Sequence, residues 1–344
     1  MRMEALGRTR RRVVKRENDK VAPAAENVMD LRGMSLVTIP NPVVISLASI
    51  TKLDLSNNNL EIIPESLTAR MVNVVILDVR SNQLKALPNS IGCLSHLKVL
   101  NVSSNLLESL PDTIENCRAL EDLILNFNML TTLPATMGFE LINLRVLSVN
   151  TNKLRFLPPS TSHMTSLRIL DAHLNCLHSL PDGLENLTLL EHLDLSQNFQ
   201  YLRSLPYSLG LLSSLHHLDI SYNAVSSLPD SFGCLAKLTT LKVEGNPLVC
   251  PPMKVVERGV EAVREYLTAR MNRGEKEKKK MKQRSWLGKM VACGAPKGRV
   301  MVGDDELLMM NKFQSVQGFT TPLREVRSPM WILSPSRLFG SPKK

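Results

Sequence analysis

Two His-Leu-Asp triplets, His192 to Asp194 and His217 to Asp219, stand twenty-five residues apart in this chain. Imidazole nitrogens and carboxylate oxygens can share a divalent cation, and an imidazole contact can also respond to pH near neutrality. Four such groups spread over neighbouring elements of an open surface lack the closed shell and supporting partners that a metal centre needs. No metal is therefore expected. The chain also carries no phosphate-binding loop, kinase signature, nucleophile elbow or paired cysteine ligands. Neither catalysis nor a cofactor is expected.

What positions the triplets is a unit of 23 to 25 residues with the form L-x-x-L-x-L-x-x-N-x-L, repeated nine times from Ile50 to Pro252. An Asn closes every unit, at Asn58, Asn82, Asn105, Asn128, Asn152, Asn175, Asn198, Asn223 and Asn246. This is the leucine-rich-repeat signature, in which each unit adds one short strand to a horseshoe and neighbouring units must stack to bury their apolar faces. The expected fold is an α/β solenoid with a parallel concave sheet. Each Asn amide offers donors and an acceptor to backbone groups at the turn leaving the strand, so the ladder of asparagines is read as structural. Leu-Pro or Ile-Pro follows in eight units, from Ile63-Pro64 to Leu228-Pro229, and sets the direction of the convex segment. Apolar pairs three apart, such as Ile91 and Leu94 or Phe232 and Leu235, then suit a short helical turn with one buried face.

The ends of the array depart from the pattern, as caps do. Met29, Leu31, Leu36 and Ile39-Pro40 fit a degenerate first unit starting near residue 26. After Gly245-Asn246-Pro247-Leu248, the stripe Val256, Val260, Val263, Leu267 and Met271 predicts a helix over 253–273 laid on the last repeat. The expected organisation is a basic, disordered arm over 1–25, a solenoid over 26–250, a capping helix over 251–273 and a basic, disordered tail over 274–344. The stretch around 275–283 reads either as an exposed extension of the helix or as a linker.

Strand alternation puts the variable residues on the concave face, and equivalent positions line up as columns about 4.8 Å apart. One column runs Lys52, Ile76, Val99, Asp122, Val146, Ile169, His192, His217, Thr240; the next runs Asp54, Asp78, Asn101, Ile124, Ser148, Asp171, Asp194, Asp219, Lys242. The candidate protein-binding residues are Ile76, Asp78, Val99, Asp122, Ile124, Phe127, Val146, Ile169, Asp171, His192, Asp194, His217, Asp219 and Tyr222. Exposed Ile and Val together with Phe127 and Tyr222 suit a contact better than a solvated wall. Asp within Leu-Asp-Leu also has a plainer explanation, since it recurs in repeats of this type for solvation alone.

Charge divides the chain. Residues 50–250 hold 13 basic and 18 acidic side chains, whereas the flanks hold the other 29 basic and 14 acidic ones, so a net of −5 and one of +15 give the total of +10. No apolar run follows the N-terminal arginines and no stretch is long enough to span a membrane, so an intracellular protein, cytoplasmic or nuclear, is expected. The six scattered cysteines agree with a reducing compartment. Cys93, Cys117 and Cys234, in convex segments, are expected to be buried. The basic runs suit nuclear import or contact with an anionic surface. A nuclear, nucleic-acid-associated factor acting through these runs is the alternative reading, against which stand the acidic array and the lack of any nucleic-acid-binding motif.

The 23-residue unit with Leu-Pro after its Asn, the ending Gly245-Asn246-Pro247-Leu248-Val249-Cys250-Pro251-Pro252 and the helical sequence Val255 to Leu267 resemble the intracellular Ras-group leucine-rich repeat proteins, most closely their plant branch, over residues 26–272. That resemblance implies a scaffold in signal transduction, with small GTPases or their regulators as partners. Many plant members carry Gly-Val-Tyr-Trp after the array; this chain lacks it, and Ser285-Trp286-Leu287 is the tryptophan-bearing candidate for a remnant. Thr321, Ser328, Ser334 and Ser341, each before Pro, are candidate phosphorylation sites whose modification would reverse local positive charge.

Overall fold

A computed structural model describes residues 27–39 and 49–292. Ten strands of three residues each form one open parallel sheet, with each strand hydrogen-bonded to the next in chain order. They are β1 (Val28–Asp30), β2 (Lys52–Asp54), β3 (Ile76–Asp78), β4 (Val99–Asn101), β5 (Asp122–Ile124), β6 (Val146–Ser148), β7 (Ile169–Asp171), β8 (His192–Asp194), β9 (His217–Asp219) and β10 (Thr240–Lys242). The degenerate first unit thus supplies a strand of its own, with Met29 opposite Leu53.

Alternation along each strand decides what is buried. The central residue, as in Leu53, Leu77, Leu100, Leu123, Leu147, Leu170, Leu193 and Leu218, points into one continuous core, while its two neighbours face the concave side. Convex segments close the core from behind. Pro64, Pro88, Pro111, Pro158, Pro206 and Pro229, with φ between −57° and −70°, each precede a short helical turn, of which five are 3₁₀. Stacking there is tight. A Cβ on Gly138 would lie 1.9 Å from Ser160 O, so only glycine permits the two repeats to approach this closely.

That convex geometry corrects one expectation. Cys117 is buried, but Cys93 and Cys234 are exposed. Cys117 occupies the position of Leu94, just past the 3₁₀ turn and pointing inward, whereas Cys93 and Cys234 are the last residues of the turns Asn89–Cys93 and Asp230–Cys234 and lie on the outer side.

The asparagine ladder ties successive repeats together. Asn82 Nδ2 donates to Val79 O and, one repeat back, to Leu55 O, both at 3.0 Å, and Asn82 Oδ1 accepts from Leu60 N at 3.0 Å. The same three bonds recur along the array, for example at Asn105, Asn152 and Asn175. The residue before the ladder Asn is left-handed in every unit, from Asn57 (φ 55°) through Ser81, Ser104, Phe127, Thr151, Leu174, Gln197 and Tyr222 to Gly245 (φ 72°). Asn and Gly take that conformation readily, while the larger side chains are held in it by the bonds around them.

At the end of the array the helical segment differs from the expected 253–273. A turn at Met253–Val256 is separated by Gly259 (φ 97°) from a helix that runs Val260–Ala292. The left-handed glycine ends the first piece, and the run of Glu, Lys and Arg after Gly274 has strong intrinsic helix propensity, which carries the helix past 273. Residues 274–292 are therefore helical, not the start of a disordered tail. Val263 and Leu267 lie in the core. Arg264 Nη1 donates to Leu235 O and Ala236 O at 3.1 and 2.7 Å, which satisfies carbonyls that no further repeat could reach. Arg270 Nε adds an ion pair to Asp230 at 3.2 Å. Ser285, Trp286 and Leu287 fall within the helix. Thr321, Ser328, Ser334 and Ser341 lie outside the described residues.

Candidate protein-binding face

Because every strand pair is parallel and in register, the concave residues stand in straight columns. Lys52, Ile76, Val99, Asp122, Val146, Ile169, His192, His217 and Thr240 are consecutive partners, as are Asp54, Asp78, Asn101, Ile124, Ser148, Asp171, Asp194, Asp219 and Lys242. Close spacing within a column makes neighbours shield one another, so Ile76, Val99, Val146 and Ile124 are half-buried, while Ile169, His192 and His217 are exposed. Asp122 stands between Val99 and Val146 and divides the apolar column into two parts.

Phe127 and Tyr222 are placed differently from the expectation. Both are more than half exposed, but each sits three residues beyond its strand, at the left-handed position before the ladder Asn. They belong to the turn at the edge of the sheet, because the backbone has already left the strand alternation there.

The acidic column has a structural duty. Oδ1 of Asp54, Asp78, Asp171, Asp194 and Asp219 accepts the backbone N–H two residues on, at 2.9 to 3.3 Å, and Asn101 does the same for Ser103 at 3.1 Å. One oxygen of each carboxylate thus shapes the strand exit, and the second makes other contacts, as Asp171 Oδ2 does with Asn150 and Asp219 Oδ2 with Lys242. Burial raises the Asp78 carboxyl above its ordinary value, in part offset by the Arg80 N–H and charge; burial likewise raises Asp122, helped by Glu121. At Asp219 burial works in the same direction but is outweighed by bonds from Ser221 and Lys242, which hold the carboxyl low. Lys242 Nζ lies 3.0 Å from Asp219 Oδ2.

The two triplets come together as expected from their register, but not as a metal quartet. The His192 and His217 rings stack on each other, with centroids 4.5 Å apart and planes within 9°. With Ile169, Asp171, Asp194, Asp219 and Lys242 they line a concavity of about 220 Å³. The residue that sequence reasoning missed is His173, whose Nδ1 lies 2.7 Å from Asp171 Oδ1 and 3.9 Å from Asp194 Oδ2. Its position two residues after Asp171, equivalent to Ser56, Ser103, Ser196 and Ser221 in four other units, was the available signal. Asp171, His173 and Asp194 bring one ligand atom each to within 4.8 Å of one another. Asp171 Oδ2 is already engaged by Asn150 Nδ2 at 2.6 Å and Ser148 Oγ at 3.1 Å, which favours a hydrogen-bond network over cation binding. No described helix is long and apolar enough to cross a membrane.

Comparison with known proteins places these features in a family. Leucine rich repeat families match residues 72–130, 142–198 and 200–248, and also 49–69. The chain is 58% identical over 325 residues to plant intracellular Ras-group-related LRR protein 1 of Oryza sativa subsp. japonica, covering 93% of this chain and 90% of that protein. To plant intracellular Ras-group-related LRR protein 8 of Arabidopsis thaliana it is 51% identical over 170 residues, 47% of this chain and 44% of that one. Among solved structures, a TDR receptor superposes with a TM-score of 0.53 at 30% identity, over 65% of this chain and 44% of the receptor chain.

Proposed function

Given that the chain belongs to the plant intracellular Ras-group-related leucine-rich repeat proteins, we propose that it is a non-catalytic intracellular scaffold whose concave sheet holds another protein in signal transduction. The observation that carries this reading is the concave face itself. Ten in-register strands present half-buried apolar residues, an exposed Ile169 and an imidazole pair, where a merely solvated wall would present polar ones. Small GTPases or their regulators are the partner class that the relatives' name points to. Ile76, Val99, Val146 and Ile169 form the contact floor, and the acidic column sets orientation.

The test is direct binding of the purified full chain to a panel of purified Ras-type GTPases in both nucleotide states. Replacement of Val146 and Ile169 together by Glu should leave the circular dichroism unchanged, since both side chains face outward, and should abolish binding by burying unpaired charge in the contact. Binding that survives the double replacement sinks the concave-face reading.

A further inference from the structure

One unit breaks a spacing that all the others keep. From the ladder Asn to the Pro that opens the convex segment the chain advances six residues in eight units, and eight residues from Asn198 to Pro206. Eight units stack without the two extra residues, so core packing does not require them, and in repeat arrays such insertions gather on one face, often the binding face. The insertion holds Phe199 in a left-handed backbone, φ 48°, with the residue 51% exposed, a conformation uncommon for a bulky side chain. Two residues on, Tyr201 joins His178 and Phe156 of the two preceding repeats in a ladder of rings, with centroids 5.1 and 5.5 Å apart. We propose that this flank of the solenoid is a second docking surface, separate from the concave face, and that it receives an acidic segment of a protein partner whose apolar side chain rests on Phe199.

Charge selects that occupant. The flank segments 151–158, 174–181 and 197–206 hold Lys153, Arg155 and Arg203 and no Asp or Glu, although the array as a whole is acidic. All three cations are exposed. Lys98, Arg118, Arg145, Arg168 and Lys242 each have a carboxylate partner, whereas among the described residues Lys153, Arg155 and Arg203 have none. Arg155 is tied to the ring ladder, since its carbonyl accepts from His178 N at 3.0 Å. Three unpaired cations on one flank complement an anionic segment. The rings decide its class. Their faces are turned largely toward one another, with planes 30° and 42° apart, so nucleobases find few free faces to stack on. What remains for an occupant is mostly ring edge, the positive end of the aromatic quadrupole, which suits carboxylate oxygens and aliphatic groups.

The experiment titrates the full chain with three fluorescent peptides, each a central Leu flanked on both sides by Glu, by Gln or by Lys. The Glu peptide should bind several-fold more tightly than the Gln peptide, and the Lys peptide should not bind. Lys153→Gln with Arg155→Gln should weaken the Glu peptide by about three- to tenfold, the loss expected for two exposed charged contacts. Phe199→Ser should weaken the Glu and Gln peptides alike, because it removes the apolar contact. All three side chains are exposed, so thermal melts should match those of the unchanged chain. Equal binding of the Glu and Gln peptides, or no effect of the two Gln replacements, would overturn the proposal. The Val146 and Ile169 replacements should leave peptide binding as it was; if they abolish it, the peptide sits on the concave face and the flank is not the site. A fluorescent oligothymidylate that binds where the Glu peptide does not would reassign the flank to nucleic acid. A dimer that Phe199→Ser dissolves would make a second copy the occupant, and Glu-peptide binding seen only after Asp304, Asp305 and Glu306 are changed to Asn would make it a segment of the chain itself.

Discussion

Asn152 reaches back a whole repeat, its Nδ2 donating to Leu125 O at 3.0 Å while its Oδ1 accepts from Leu130 N at the same distance. A third bond, to Val149 O, closes the turn of its own unit. One side chain therefore holds both the exit of one strand and the seam between two repeats.

Asn152→Ala should lower stability by about 1–3 kcal/mol through buried groups left without partners. Asp171→Ala should cost less, about 1 kcal/mol, because its carboxylate is half-exposed and the groups it releases can turn to water. Denaturant midpoints in the opposite order would show that the ladder is not the stronger constraint.

Gly138→Ala should destabilise by roughly 1–3 kcal/mol, since the added Cβ meets the Ser160 carbonyl, which is backbone and cannot rotate away. Gly274→Ala, with nothing within 4 Å of the new Cβ and a helical backbone, should be neutral or stabilising by up to about 1 kcal/mol. Thermal unfolding of the two variants separates convex-side packing from helix propensity, and a stable Gly138→Ala protein would contradict the tight stacking.

Leu267→Ala should cost about 2–5 kcal/mol, as a fully buried residue that covers the end of the core. Ending the chain at Gly245 should expose that end altogether and produce aggregation. Light scattering and thermal melts that match those of the full chain would remove the capping role from the helix.

The Cys117 thiol is pushed up to about 12, by burial first and by the neighbouring Cys93 second, so it stays protonated and shielded in mildly alkaline solution. Cys93 and Cys234, exposed on the convex side, should be alkylated in the native protein, with Cys117 modified only after unfolding. Peptide mass spectrometry after native and denatured labelling checks the order. Native labelling of Cys117 at the rate of Cys93 would refute its burial.

Much of the fold was legible because the repeat period and the strand period act together. Once Leu100 was known to be central in its strand, Val99 and Asn101 had to face outward, and equal offsets in neighbouring units put Ile76 beside Val99 and Asp78 beside Asn101. Phe127 and Tyr222 were misplaced because an alternation argument has no way to mark where a strand ends; the left-handed residue before the ladder Asn does that. Cys93 and Cys234 were misplaced because a convex segment was treated as buried throughout, although comparison with Leu94 distinguishes Cys117 from both.

The sequence by itself determined the solenoid, its strands and their register, because each is a periodic pattern that only one stacking can bury. It could not show that one oxygen of each column aspartate is committed to the strand exit, nor that His173 joins Asp171, nor that His192 and His217 stack. Those arrangements depend on the separation of side chains from different repeats and on the rotamers that crowding permits, and such quantities exist only when the repeats are stacked.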